Sequence, residues 1–152
     1  MSTHKQHYMA KVLIAEDNRV EAALLESMLE GFGCEVFKAR GLDIVDKLDI
    51  AYDLIFLDIN MPGISGFYIA NNLKHSSSYE SKAPIIIISS EPYTDDIKEK
   101  CLDNDVDGYV QKPMSESLLG TILDEYLSSK DVSMLSSDNN SSNLLLRKRH
   151  DF

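Results

Sequence analysis

In four places this chain sets a polar side chain directly after a short strand-like run. Asp58 follows Leu54-Ile55-Phe56-Leu57, the pair Glu16-Asp17 follows Val12-Leu13-Ile14-Ala15, Ser89 follows Ile85-Ile86-Ile87-Ile88, and Lys112 follows Gly108-Tyr109-Val110-Gln111. Carboxylates brought together repel, by roughly 4 kcal/mol for a pair about 4 Å apart at an effective dielectric near 20, so a chain keeps such a cluster where a cation occupies it. Oxygen ligands without His or Cys suit Mg²⁺, which retains waters and bridges to phosphate oxygens. A lysine ammonium and a serine hydroxyl facing the same point suit the phosphate itself. An aspartate in such a place can attack phosphorus and form an acyl phosphate while the neighbouring cations neutralise the developing charge. Plainer readings stand beside these. Glu16-Asp17-Asn18 also suits a helix N-terminus, Lys112 before Pro113 also suits the surface, Tyr109 reads as a half-buried aromatic, and Met61 as loop packing rather than a partner contact.

For these residues to meet, the chain must align the ends of its strands. The run before Asp58 is apolar at every position, as in a strand covered on both faces, and Met61-Pro62-Gly63 then breaks regular structure before Gly66 leads into a helix. Lys11–Ala15 reads as the first strand. Leu25, Met28, Leu29 and Phe32 recur at helical spacing through a first helix over 19–32, which Gly31 and Gly33 bring to a stop. A second strand is expected over 35–39, a second helix over 42–48 with Ile44, Val45 and Leu48 inward, and a third helix over 67–74. The β-branched run Ile85–Ile88 is a central strand. A fourth helix follows over 93–102, then the Gly108–Gln111 strand and a fifth helix capped by Ser115, with Leu118, Leu119, Ile122, Leu123 and Tyr126 inward. Strand and helix alternating five times imply a parallel sheet with right-handed crossovers and helices on both faces. The carboxyl ends of its strands form the crevice where open α/β sheets bind ligands.

With 152 residues the chain fits one domain, and it carries no internal repeat. Its net charge of −10 argues against nucleic-acid binding by the domain itself. Cys34 and Cys101 lack the spacing of a zinc or redox pair and read as buried free thiols. The N-terminus returns to charge after Val12–Ala15, too soon for a signal peptide or a membrane span, so a cytoplasmic location is expected.

Four motifs in order complete the picture: the acidic pair closing the first strand, D-I-N-M-P-G-I-S-G from Asp58, P-I-I-I-I-S from Pro84, and Y-V-Q-K-P from Tyr109. Over residues 10–127 the chain resembles the receiver domain of bacterial two-component response regulators, here of stand-alone type. The resemblance implies a flavodoxin-like sheet of order 2-1-3-4-5 and a phosphoprotein of signal transduction that catalyses only its own phosphorylation and dephosphorylation. It implies that Asp58 accepts a phosphoryl group from a histidine kinase or histidine phosphotransfer protein. Asp17 and Asp58 would bind Mg²⁺ directly, Glu16 through water, and Asn60 through its backbone carbonyl. Lys112 would pair with the phosphoryl group and Ser89 would hydrogen-bond it, while Tyr109 swings inward and reshapes the face of the fourth helix, fifth strand and fifth helix for a downstream partner or a phosphorylation-dependent dimer. The chain departs from the family pattern at Glu16, where Asp is commoner, at Ser90, where a small apolar residue is usual, and at Asn104-Asp105, where Gly is usual.

Residues 1–10 are polar and expected to be loose. Residues 128–152 turn Ser- and Asn-rich and are expected to be disordered, adding no strand, with Leu144–Leu146 and the basic residues after them able to fold back on the acidic domain. Two rivals remain. A Mg²⁺-dependent phosphatase with an aspartate nucleophile would normally show a second acid where Asn60 stands, and a phosphorylation-independent binding module would keep its partner affinity in Asp58→Ala.

Overall fold

A computed structural model describes residues 7–47, 49–76, 83–127 and 144–147. Five parallel strands, β1 (Lys11–Ala15), β2 (Glu35–Ala39), β3 (Leu54–Asp58), β4 (Ile85–Ser89) and β5 (Gly108–Gln111), lie in the order β2-β1-β3-β4-β5. Their connections are α1 (Arg19–Gly31), a 3₁₀ segment (Gly41–Lys47), α2 (Gly66–His75) and α3 (Asp95–Asp103), and α4 (Glu116–Leu127) follows β5.

The alternation of side chains along a strand divides the core in two. Leu13, Ile55, Leu57, Ile85, Ile87 and Tyr109 face one side, against Phe67, Ala70 and Leu73 of α2 and Ile97 and Cys101 of α3. Val12, Ile14, Leu54, Phe56, Ile86 and Ile88 face the other, against Leu25 and Leu29 of α1 and Leu119, Ile122 and Leu123 of α4. Every residue of β3 and β4 is buried, which is why these two strands read as unbroken apolar runs. Each large aliphatic side chain so covered contributes roughly 1.5–3 kcal/mol. Cys34 and Cys101 are buried free thiols, as expected.

Local chemistry sets the helix starts. The side chains of Asn18, Ser65 and Thr94 accept hydrogen bonds from Glu21 N, Phe67 N and Ile97 N, and Ser115 Oγ accepts one from Leu118 N at 3.0 Å. The Thr94 cap moves the start of the fourth expected helix from 93 to Asp95. The second expected helix is replaced by the 3₁₀ segment. Gly41 enters it at φ +54°, Asp43 and Asp46 are weak helix formers, and the Tyr52 hydroxyl donates to the Lys47 carbonyl at 2.8 Å, closing it off. Ile44 is buried there as expected, whereas the side chains of Val45 and Leu48 lie outside the described residues.

Two expectations about the ends need correction. Residues 7–10 are tied down, because Tyr8 N donates to the Phe32 carbonyl, the Tyr8 hydroxyl donates to Asp124, and Ala10 is buried. Beyond α4, a sixth strand, β6 (Leu144–Arg147), pairs antiparallel with β5. Leu144-Leu145-Leu146 has no apolar–polar alternation to announce a strand. Main-chain pairing to an open sheet edge does not need one. Residues 1–6, 128–143 and 148–152, on which the other expectations about the ends fall, lie outside the described residues.

Candidate functional site

Strand register aligns the four polar positions. Ala15 lies beside Leu57, Asp58 beside Ile88, and Ser89 beside Gln111, so Glu16, Asp58, Ser89 and Lys112 leave the sheet along one edge. The loop after Asp58 is held by a two-residue antiparallel ladder between Asn60–Met61 and Ile64–Ser65, with Gly63 at φ +80° in the turn and Met61 buried in the core. Gly66 opens α2 so close to this loop that a Cβ there would stand 2.3 Å from the Asp58 carbonyl oxygen. Any side chain at 66 would displace the backbone that carries Asp58.

Glu16 and Asp58 are buried, at 4% and 7% exposure, and Ser89 is fully buried; Asp17 is partly exposed and Asn60 exposed. The Lys112 backbone N–H donates to the Ser89 carbonyl at 2.7 Å, and the Lys112–Pro113 peptide is cis. Lys112 Nζ donates to Glu16 Oε1 at 2.8 Å and to Glu21 Oε1 at 2.5 Å, and stands 3.5 Å from Asp58 Oδ2. One ammonium therefore faces three carboxylates. Burial works against its charge, but the hydrogen bonds to Glu16 and Glu21 and the charge of Asp58 outweigh it and hold its pKa above the ordinary lysine value. Burial raises the Glu16 pKa, opposed by Lys112 and by the Asn18 backbone N–H and reinforced by Asp58.

Asp58 Oδ1 accepts a hydrogen bond from Asn60 N at 3.1 Å, which leaves Oδ2 on the Lys112 side. The Asn60 side chain turns away and donates to Glu91 Oε2 at 2.7 Å. Ser89 Oγ accepts from Glu91 N at 3.0 Å. Tyr109 is fully buried, its ring 5.3 Å from that of Tyr93, and its hydroxyl donates to the Glu91 carbonyl at 2.6 Å. Ser90 is exposed beside these groups, and Asp105 takes the left-handed conformation at φ +58°.

Among the described residues no three His, Cys, Asp or Glu side chains gather closely enough to enclose a metal ion. A hydrated Mg²⁺ asks for less: one or two carboxylates, with phosphate oxygens and waters completing its shell. Glu16 and Asp58, with Asp17 next in the chain, are all-oxygen donors carrying more negative charge than Lys112 balances. They fit such an ion.

Glu21 and Glu91 were not anticipated. Glu21 lies in the first turn of α1, three residues after the Asn18 cap, and Glu91 follows Ser89 by two in a loop leaving a strand; position relative to the strand ends was the available signal. Beside the acids opens a cleft of about 410 Å³, lined by Glu16, Glu21, Leu24, Met28, Lys112 and Met114 among others. Leu24 in its wall is 62% exposed, and Val20, one turn earlier on α1, is 69% exposed.

The profile of the family described as "Response regulator receiver domain" matches residues 12–124. Protein PilG of Pseudomonas aeruginosa is 32% identical over 115 residues, covering 74% of this chain and 84% of that protein. Hybrid signal transduction histidine kinase L of Dictyostelium discoideum is 30% identical over 125 residues, 78% of this chain but 7% of that protein. The osmosensing histidine protein kinase SLN1 of Saccharomyces cerevisiae is 29% identical over 130 residues, 10% of its length. The chain thus spans a tenth or less of these two kinases. Among solved structures, the receiver domain of sensor histidine kinase PA1611 from Pseudomonas aeruginosa, described with a magnesium ion coordinated in its active site cleft, superposes with a TM-score of 0.69 at 26% identity, over 79% of this chain and 98% of that one. The chemotaxis response regulator CheY4 of Vibrio cholerae gives 0.70 at 27% identity, over 78% and 99%. With the family profile running from β1 into α4, the chain belongs to the response regulator receiver domains, phosphoacceptor modules of two-component signal transduction.

Proposed function

We propose that Asp58 is the phosphoacceptor, that Lys112 and Ser89 bind the transferred group, and that Glu16, Asp17, Asp58 and the Asn60 carbonyl hold Mg²⁺. The observation that carries this reading is the meeting of two buried carboxylates from β1 and β3 with the single ammonium of Lys112 at the carboxyl edge of the sheet. Asp58 Oδ2 attacks phosphorus, forming a P–O bond as the donor's P–N bond breaks and its electron pair returns to the imidazole nitrogen. The Asn60 N–H fixes Oδ1, so the reacting oxygen is the one facing Lys112. As charge develops on the phosphoryl oxygens, Lys112 exchanges contacts with Glu16 and Glu21 for the new anion. Mg²⁺ held by Glu16, Asp17 and Asp58 would add charge neutralisation to this site. Ser89 Oγ turns from the Glu91 N–H to donate to a phosphoryl oxygen, and Glu91 also accepts from Tyr109, which links the site to β5.

The donor is a histidine kinase or histidine phosphotransfer protein, and exposed Val20 and Leu24 beside the cleft offer it an apolar footing. We read the chain as a stand-alone, cytoplasmic receiver with a downstream partner on the face of α3, β5 and α4; no helix among the described residues is long and apolar enough to cross a membrane. Asn60 stands where a phosphatase would place its second acid, and its side chain is engaged by Glu91, so turnover of free phosphate esters is not expected. Incubation with acetyl phosphate and Mg²⁺, followed by intact mass and a phosphomonoesterase assay, tests the reading. One base-labile phosphoryl adduct without ester turnover supports it, and steady ester turnover would replace it with the enzyme.

A further inference from the structure

The outer edge of β5 is where the parallel sheet would otherwise stop. On its inner side β5 pairs with β4, from Ile86 beside Gly108 to Ser89 beside Gln111. On its outer side lies β6, with Gly108 opposite Arg147, Tyr109 opposite Leu146 and Val110 opposite Leu144. The register shifts between Tyr109 and Val110, so Leu145 is an extra residue in the ladder, and a bulge in so short a strand limits its hold. β6 is not a hairpin partner of β5. It is reached through α4 and the connection 128–143, so the chain brings a distant segment back to this edge. Covalent linkage within one chain gives the segment a high effective concentration at the edge.

The chemistry on each side is complementary. The domain is acidic, while Arg147 lies opposite Gly108 and is followed in sequence by Lys148 and Arg149. An open strand edge accepts an extended segment through main-chain hydrogen bonds and selects it by neighbouring side chains.

We propose that the outer edge of β5 is a strand-docking surface whose resident occupant is the chain's own Leu144–Arg147, held in cis and displaceable by an extended partner peptide of the same kind, an apolar run closing on basic residues. The proposal rests on strand pairing and is independent of the phosphoacceptor chemistry. Because β5 carries Tyr109 and ends beside Lys112, the resident strand also governs which partners reach the strand that reports on the site.

The test uses the full chain, its Leu144→Pro/Leu146→Pro variant, and a synthetic peptide with the sequence of residues 143–150. Proline removes the N–H that a ladder needs. The amides of Gly108–Gln111 that point to the outer side, away from β4, are expected to exchange at least tenfold faster in the variant, and the peptide to bind the variant at least tenfold more tightly than the wild type, more weakly as salt is raised. In the wild type, excess peptide is expected to speed exchange at Leu144–Arg147 while Gly108–Gln111 stay slow, a readout that needs no variant. Equal exchange and equal peptide binding in the two proteins would overturn the proposal. Protection of β5 that grows with protein concentration would assign the occupant to a second copy and overturn the cis arrangement.

Discussion

Two clusters, each joining a partly buried lysine to buried carboxylate, sit at opposite ends of the same sheet. At the end away from Asp58, Asp107 is 1% exposed and accepts from Lys74 Nζ at 2.7 Å and from Ile85 N at 2.8 Å. At the other end Lys112 is shared among Glu16, Glu21 and Asp58. The first pairs one cation with one anion and pins that anion with a backbone donor. The second leaves anionic charge in excess, much of it buried. The same residue types thus make a closed structural pair in one place and an open site in the other. What distinguishes them is whether the local charge is already satisfied.

The sharpest separation comes from deleting each aspartate. Asp58→Asn should abolish phosphorylation in an acetyl phosphate assay while keeping the fold. Asp107→Ala should cost about 1–3 kcal/mol in a denaturant titration, because it leaves the buried Ile85 N–H without its acceptor and the partly buried Lys74 without its carboxylate, yet the folded fraction should still be phosphorylated. An Asp107 variant that folds normally but cannot be phosphorylated would erase the contrast. The lysines should then divide in the same way. Lys112→Met should slow phosphorylation by about 10²-fold, as loss of one preorganised charge at a reacting oxygen does, whereas Lys74→Met should leave the rate of the folded protein unchanged.

Metal should sharpen the comparison further. Mg²⁺ at tenfold its dissociation constant should stabilise the wild type by roughly 1.4 kcal/mol, and Asp17→Asn should lose this response while its metal-free stability holds or rises. Mg²⁺ stabilisation that survives in Asp17→Asn would place the ion elsewhere. The smallest effect concerns Cys101, whose thiol burial pushes up from 9.0 to about 12. The folded state then keeps a proton that the unfolded chain releases, so the stability present below about pH 9 falls as pH rises towards 12. At pH 8 the folded protein should resist thiol alkylation at Cys101, as checked by mass, and react once denatured.

Most of the sheet was legible because burial on both faces writes continuous apolar runs, and β3 and β4 have no other reading. The site was legible because a polar residue after such a run must emerge at a strand end, which brings Glu16, Asp58, Ser89 and Lys112 together without any tertiary information. Glu21 and Glu91 were not legible as site residues, because an acid in a first helical turn or a loop ordinarily caps or solvates. The 3₁₀ segment escaped since Ile44 keeps its inward place in either helix type. β6 escaped because edge pairing belongs to the backbone, and Leu144–Leu146 states only that the run is apolar. Tyr8 escaped because its anchors, Phe32 and Asp124, are distant in sequence.

The most direct test of the central reading is to locate the phosphoryl group. After incubation with acetyl phosphate and Mg²⁺, borohydride reduction converts an aspartyl phosphate to homoserine, and peptide mass spectrometry then identifies the position. Conversion at Asp58 alone, absent in Asp58→Asn and strongly reduced in Lys112→Met, is the expected result. Conversion at Asp17, or a borohydride-resistant phosphate on a serine, would contradict it.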